Sequence, residues 1–252
     1  MNPGQYPPVT HTAFFRFYEE LNDFLPKVRR KTTFPYAFRG MPTVKHTIEA
    51  IGVPHTEIDV ILVDGKSVGF EYRMRGGERV AVYPVFESFD ITPLVRLRPK
   101  TLRETRFVVD VHLGKLAQKL RLLGFDTVFS NNLTDHDIVG VSLHENRIIL
   151  TRDKGILKHK VVTHGYWVRH EDPKEQLREV VKRLQLENSF HPFTRCSQCN
   201  EPLHPVDKAL LPGRVPDEIL HVFDTFMECD GCQKVYWQGS HYERIYALIA
   251  EL

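Results

Sequence analysis

The sequence predicts an α/β protein in three parts, and three observations carry that reading. Short apolar strands alternate with amphipathic helices between residues 106 and 186, residues 12–86 follow a strand-strand-helix-strand-strand order, and two CxxC pairs stand near the end. A chain of 252 residues exceeds the usual single-domain size, which agrees with separate parts that each bury a core. The boundaries are placed at 1–95, 106–190 and 191–252, with 96–105 as a basic linker. No apolar run reaches the roughly 18 residues of a spanning helix, so no membrane partner is expected. The opening MNPGQYPPVTH lacks the basic and apolar regions of a secretory signal, which gives the expectation of a cytoplasmic protein.

In the first part, TAFFRFYEE (12–20) alternates as a strand and LNDFLP follows as a short helical turn. TFPYAFRG (33–40) is a second strand. In TVKHTIEAIGVP (43–54), Thr43 caps a helix whose Val44, Ile48 and Ile51 share one face, and Gly52 and Pro54 stop it. DVILVDGKSV (59–68) sets a DG turn between two apolar runs, a hairpin signal, and ERVAVYPVF (78–86) closes the part as a strand. This order and its closing GGERVAVYPVF resemble the β-grasp, ubiquitin-like α+β fold of sulfur carriers. Such carriers need a free terminal Gly-Gly, whereas here the corresponding place reads ESFD and the chain runs on. A binding or positioning role, not carrier chemistry, is therefore the expectation.

The middle part begins with RFVVD (106–110), a short apolar strand ending in an acid. Leu113, Leu116, Ala117, Leu120 and Leu123 then repeat at helical spacing, and Gly124 is a fitting stop. FDTVFS (125–130), TDHDIVGVSLHEN (134–146) and RIILT (147–151) read as strand, helix and strand. VVTHGYWVRH (161–170) adds a strand, and DPKEQLREVVKRLQL (172–186) a helix with Pro173 at its start. Alternation of this kind implies parallel pairing with right-handed crossovers.

In a parallel sheet Asp110 and Asp153 emerge at the same edge, where open α/β folds place their ligands. Thr134 to Asp137 make a capping-box-like start that puts Asp135 and Asp137 in the first turn of a helix beginning at that edge. Acids gathered from such distant positions repel one another unless a cation neutralises them. Hard oxygen donors favour Mg²⁺ or Mn²⁺, and a cluster of this kind beside a basic surface suits phosphodiester hydrolysis. The competing reading makes Asp135 and Asp137 ordinary helix-start acids and Asp110 a strand-end turn residue.

FVVDVHLGKLAQKLRLLGFDT, with ILTRDKGIL downstream, resembles the PIN-like ribonuclease domain of the Mut-seven C-terminal family. In that family a ubiquitin-like segment often precedes the domain and a zinc ribbon follows. The resemblance implies a PIN-like, parallel-sheet Rossmannoid domain whose acids bind divalent metal for RNA cleavage. Carried over, the first-strand acid is Asp110 and the TRD acid is Asp153. The D-x-x-I pattern of the middle acid fits Asp135 through Ile138, so Asp135 ranks ahead of Asp137, and neither Asp126 nor Glu145 is an evident further acid.

Charge divides sharply along the chain. Basic against acidic residues number 11 and 11 in 1–95, 19 and 12 in 96–195, and 4 and 9 in 196–252, so the middle is the part suited to a polyanion such as RNA. RLRPKTLRETR (96–106) carries part of the excess and reads either as polyanion contact or as a solvated linker. Candidate phosphate contacts are Lys115, Lys119 and Arg121 on the GKLAQKLR helix, and Arg152 and Lys154 beside Asp153; each has the alternative of a solvated cation. His112 is assigned to packing.

CSQC (196–199) and CDGC (229–232) let Cys196, Cys199, Cys229 and Cys232 reach one tetrahedral Zn²⁺ with no open position. Redox pairing, disulfides or unrelated thiols are the alternatives. KVYWQGSHYERIY after them reads as strand and tail, and Tyr236, Trp237 and Tyr242 either pack a core or stack on bases. The function expected is a metal-dependent ribonuclease. A non-catalytic RNA-binding module, or an adaptor that uses the ubiquitin-like part to contact a protein partner, are the other two readings.

Overall fold

A computed structural model of the chain describes residues 10–84 and 105–252. Residues 96–104 of the expected basic linker and the ESFD site lie outside the described residues. The chain divides into two compact units, one made of Met1–Thr101 with Asp153–Tyr166, the other of Leu102–Arg152 with Trp167–Leu252.

The first unit contains β1 (Thr10–Phe17), β2 (Phe34–Arg39), α1 (Val44–Ile51), β3 (Val60–Val63), β4 (Lys66–Val68) and β5 (Arg79–Tyr83). They form a five-stranded sheet of order β2-β1-β5-β3-β4, in which β1 and β5 run parallel and the other pairs antiparallel. That is the ubiquitin-like order expected. Alternation decides which face is buried: Ala13, Phe15 and Phe17 point inward while their neighbours face out. Thr43 caps α1 by accepting from the His46 N–H, and Gly52 ends it at φ 127°. The DG turn takes φ 49° at Asp64 and 80° at Gly65, the left-handed pair that a two-residue hairpin requires.

The next elements along the chain are β6 (Arg106–Val109), α2 (Gly114–Leu122), β7 (Asp126–Val128), α3 (Asp135–Glu145), β8 (Ile148–Thr151), β9 (Gly165–Trp167), where the chain passes from the first unit back to the second, and α4 (Pro173–Leu184). The sheet order is β7-β6-β8-β9, with β6 parallel to both neighbours, Phe107 standing opposite Thr127 and Ile148. Phe107, Val108 and Val109 are all fully buried, as a strand covered on both faces must be. Gly124 sits at φ 94°, and a Cβ there would lie 2.2 Å from the His191 carbonyl oxygen, so both conformation and space demand glycine.

A small antiparallel sheet closes the chain: β10 (Leu203–Val206), then α5 (Asp217–Val222), β11 (Phe226–Cys229), β12 (Val235–Trp237) and α6 (Ser240–Ala250). The segment read as a tail is thus a helix. Tyr242, Ile245, Tyr246 and Ile249 recur at helical spacing, a pattern that the aromatic, strand-like composition hid. Among the described residues no helix is long and apolar enough to cross a membrane.

Candidate functional site

Asp110 ends the central strand. Its backbone N–H donates to the Leu150 carbonyl, continuing the β6–β8 ladder, and its side chain turns in to become only 4% exposed. One carboxylate oxygen accepts from the Thr151 hydroxyl at 2.7 Å and from the Arg152 N–H at 3.4 Å, while the other accepts from the His112 N–H at 3.2 Å and caps the turn Val111–Leu113. The carboxylate is therefore anchored from two strand ends and keeps further lone pairs for a ligand.

The two helix-start acids have different employment. Asp137 accepts from both the N–H and the hydroxyl of Thr134 in a reciprocal capping box, and these bonds hold its carboxyl below the usual range. Asp135 is exposed in the same turn and takes no part in that box. Asp153 is exposed and folds back to accept from the Gly155 N–H at 2.7 Å. Among the described residues, the group of three or more His, Cys, Asp or Glu with ligand atoms within 4.8 Å of one another is the four cysteines; the acids at 110, 135 and 153 do not form one.

Beside Asp110 opens a cavity of about 530 Å³ bounded by the start of α2, the segment after β7 and the start of α4. His112, Lys115, Gln118, Asn131, Glu171 and Gln176 line it. His112, assigned to packing from the sequence, is exposed and lines this cavity, directly after the strand-end acid. Gln176 is buried and donates to the carbonyls of His170 and Glu171, fixing the cavity's far rim.

The candidate cations separate clearly. Lys115 is exposed on the cavity and Lys119 is half-buried nearby on α2. Arg121 is only 3% exposed and turns inward, donating to the carbonyls of Thr127, Ser197 and Gln198, so it is a structural clamp and not a phosphate contact. Arg152 spends its guanidinium on the carbonyls of Arg169 and His170 and on Glu171. Lys154 donates to the Asp23 carbonyl and lies over the Phe24 ring, 4.7 Å from its centre.

Asp126 and Glu145, considered as further acids, are both partners of Arg147. Burial works against the charged form of Asp126, but bonds from Arg147 and Asn200 outweigh it and hold the carboxyl below its ordinary range. A depressed folded pKa gives stability that is complete above the unfolded value, about 3.9, and is lost as pH falls through the lower folded one. Asp126→Asn is expected to cost about 2–3 kcal/mol and to flatten the acid limb of the stability profile, measured by urea unfolding at several pH values.

The four thiols are free, with Cys196 Sγ 3.5 Å from Cys232 Sγ and Cys199 Sγ 3.2 Å from Cys229 Sγ. A tetrahedral ion bonded to sulfur at about 2.3 Å needs sulfurs about 3.8 Å apart, so the cluster fits one such ion. Burial opposes the Cys196 thiolate, yet the Tyr236 hydroxyl, the N–H groups of Cys199 and Gln198, and Cys232 outweigh it and bring its pKa down to about 6. Tyr236 thus serves the buried core with Cys196, Leu203 and Cys229, not base stacking. The knuckle is also tied to the sheet: Asn200 accepts from the Thr127 N–H and donates to Asp126.

A buried acid at the carboxyl end of a parallel Rossmannoid sheet, a ubiquitin-like module before it and a cluster of four cysteines after it define a multidomain α/β protein. The Mut7-C RNAse domain family matches residues 105–249, and the Mut7-C ubiquitin family matches residues 10–90. The chain belongs to the Mut7-C RNAse domain family. No curated protein and no solved structure matches it.

Proposed function

We propose that the chain is a divalent-metal-dependent ribonuclease that hydrolyses RNA phosphodiester bonds, with Asp110, Asp135 and Asp153 as its acids. The observation that supports this most is Asp110, a carboxylate carried to the cavity edge by the central strand and fixed by Thr151 and Arg152. The oxygen donors suit Mg²⁺ or Mn²⁺, and such an ion, when bound, supplies the charge that favours deprotonated water and a leaving oxyanion. Asp110, an acceptor held rigid, orients what binds there and cannot itself act as a donor while ionised. Lys115 faces the same cavity as a phosphate contact, with His112 and Asn131 as polar neighbours. The cysteines hold structural Zn²⁺, for which four thiolates leave no catalytic position.

The reading is tested by incubating the purified protein with mixed RNA in Mg²⁺, in Mn²⁺ and in chelator. Cleavage restricted to the metal-containing samples is the result expected; RNA bound but intact in all three points instead to a non-catalytic binding module. Lys115→Ala is expected to raise KM about 3–10-fold with kcat unchanged, and to make the logarithmic salt dependence shallower by about 0.7, the single-strand value for one lost phosphate contact.

A further inference from the structure

The even charge count of residues 1–95, 11 basic against 11 acidic, conceals a segregation. Strands β2, β1 and β5 lie side by side in the sheet, and each carries an outward arginine while none carries an acid. Several acids of this part are turned inside: Glu57, Asp59 and Glu78 are at most 6% exposed, and Glu78 accepts from the N–H groups of Arg75 and Gly76. Since Ala13, Phe15 and Phe17 point into the core, Phe14 and Arg16 point out. The register sets Pro35 and Arg79 beside Phe14, Ala81 beside Arg16, and Arg39 opposite Thr10, all on that outer face. Phe14 is 42% exposed, and Arg16, Arg39 and Arg79 are exposed around it. At one end of the face Tyr18 and Tyr83 stack with ring centres 4.2 Å apart, and the Arg16 guanidinium lies 5.3 Å from the Tyr18 ring.

We propose that the outer face of the ubiquitin-like sheet is a docking surface for single-stranded RNA, with Phe14 as a stacking platform for a base and Arg16, Arg39 and Arg79 as phosphate contacts. The choice of RNA rests on the ribonuclease reading; the demand for a polyanion that also offers flat rings comes from the face itself. An exposed aromatic ring stacks on any base, and guanidiniums pair with phosphates, so the combination holds a strand without reading its sequence. Strands about 4.8 Å apart with a rise of about 3.3 Å per residue put the Cα atoms of Arg16 and Arg79 about 8 Å apart, and those of Arg39 and Arg79 about 16 Å apart. That span suits a stretch of a few nucleotides. The same physics lets other small sheets present aromatic rings to unpaired bases.

The test is fluorescence anisotropy of a short labelled single-stranded RNA of mixed sequence with the full-length protein, without added Mg²⁺ or Mn²⁺ so that cleavage does not compete. Phe14→Ala is expected to weaken binding about 5–100-fold, the loss of stacking on one base, and Phe14→Tyr to bind as wild type does. Phe14→Leu keeps apolar area but no flat ring, and should be as weak as the alanine variant. Arg16→Gln combined with Arg79→Gln is expected to make the logarithmic salt dependence shallower by about 1.4, the single-strand value for two lost phosphate contacts. Lys45→Gln removes a positive charge from α1, where it lies over the Phe70 ring and off these strands, and should leave that slope unchanged. RNA left unbound by the wild type, or bound equally by wild type, Phe14→Ala and the double arginine variant, overturns the proposal and leaves the face to a protein partner. Wild-type affinity in Phe14→Leu overturns it too, since a stack needs a ring. Protein that binds RNA through these residues yet cuts none in Mg²⁺ or Mn²⁺ sinks the ribonuclease reading instead, and the docking surface stands.

Discussion

Asp110→Asn is expected to reduce kcat for RNA cleavage by about 10²–10³-fold while leaving the protein folded. Asparagine keeps the shape of the side chain, so the amide oxygen can still accept from Thr151 and Arg152, and the amide nitrogen then faces the His112 N–H. That mismatch, donor against donor in a site only 4% exposed, costs about 1–3 kcal/mol, a few degrees in melting temperature. What disappears is the negative charge, and with it the means of attracting a divalent cation. Calorimetric titration with Mn²⁺ reads that loss independently of turnover. Cleavage by the variant equal to that of wild type would show that the activity comes from a contaminating nuclease.

Depriving the four cysteines of the ion their cluster suits is the second large effect expected. The ribbon core is small, made of Cys196, Leu203, Cys229 and Tyr236 on strands three and four residues long, too little apolar area to stand alone. In zinc-finger peptides the ion contributes about 10–16 kcal/mol, and here it would similarly be the main restraint. Damage passes on to the sheet through Asn200 and through Arg121, whose carbonyl partners belong to the first knuckle. Chelator with reductant, or Cys196→Ser with Cys229→Ser, is expected to lower the melting temperature by about 10 °C or more. Elemental analysis should find one zinc per chain. A zinc-free protein that melts at the same temperature with and without chelator would remove the metal ribbon from the account.

Local signals were legible in the sequence. Thr43, Thr134 and Asp172 cap their helices, the Asp64–Gly65 turn closes its hairpin, and the CxxC pairs converge, because each depends on neighbours a few residues away or on a fixed spacing. Arg121 was misjudged although its position was readable, since it falls four residues after Ala117 on the buried face of α2. Its partners, the Ser197 and Gln198 carbonyls, could not be read, because they arrive from far along the chain. Arg147 with Asp126 is a similar case: both charges look like surface residues until the fold pairs them. The place of Asp110 at the end of a buried strand was legible, because it follows directly from the apolar run before it. The holding of residues 153–166 had no local signature, because its contacts come from the opposite end of the sequence.

The interleaving of the two units in sequence sets an order of events at the ribosome. Residues 10–84 emerge first, yet the body they build takes in Ile156, Leu157 and Val162 as buried side chains. At about 5–20 residues per second, those three follow several seconds later, after most of the neighbouring parallel strands have been synthesised. The nascent protein therefore carries an unfinished, partly oily N-terminal body during that interval, and that body is completed before residues 167–252 of the other have been made.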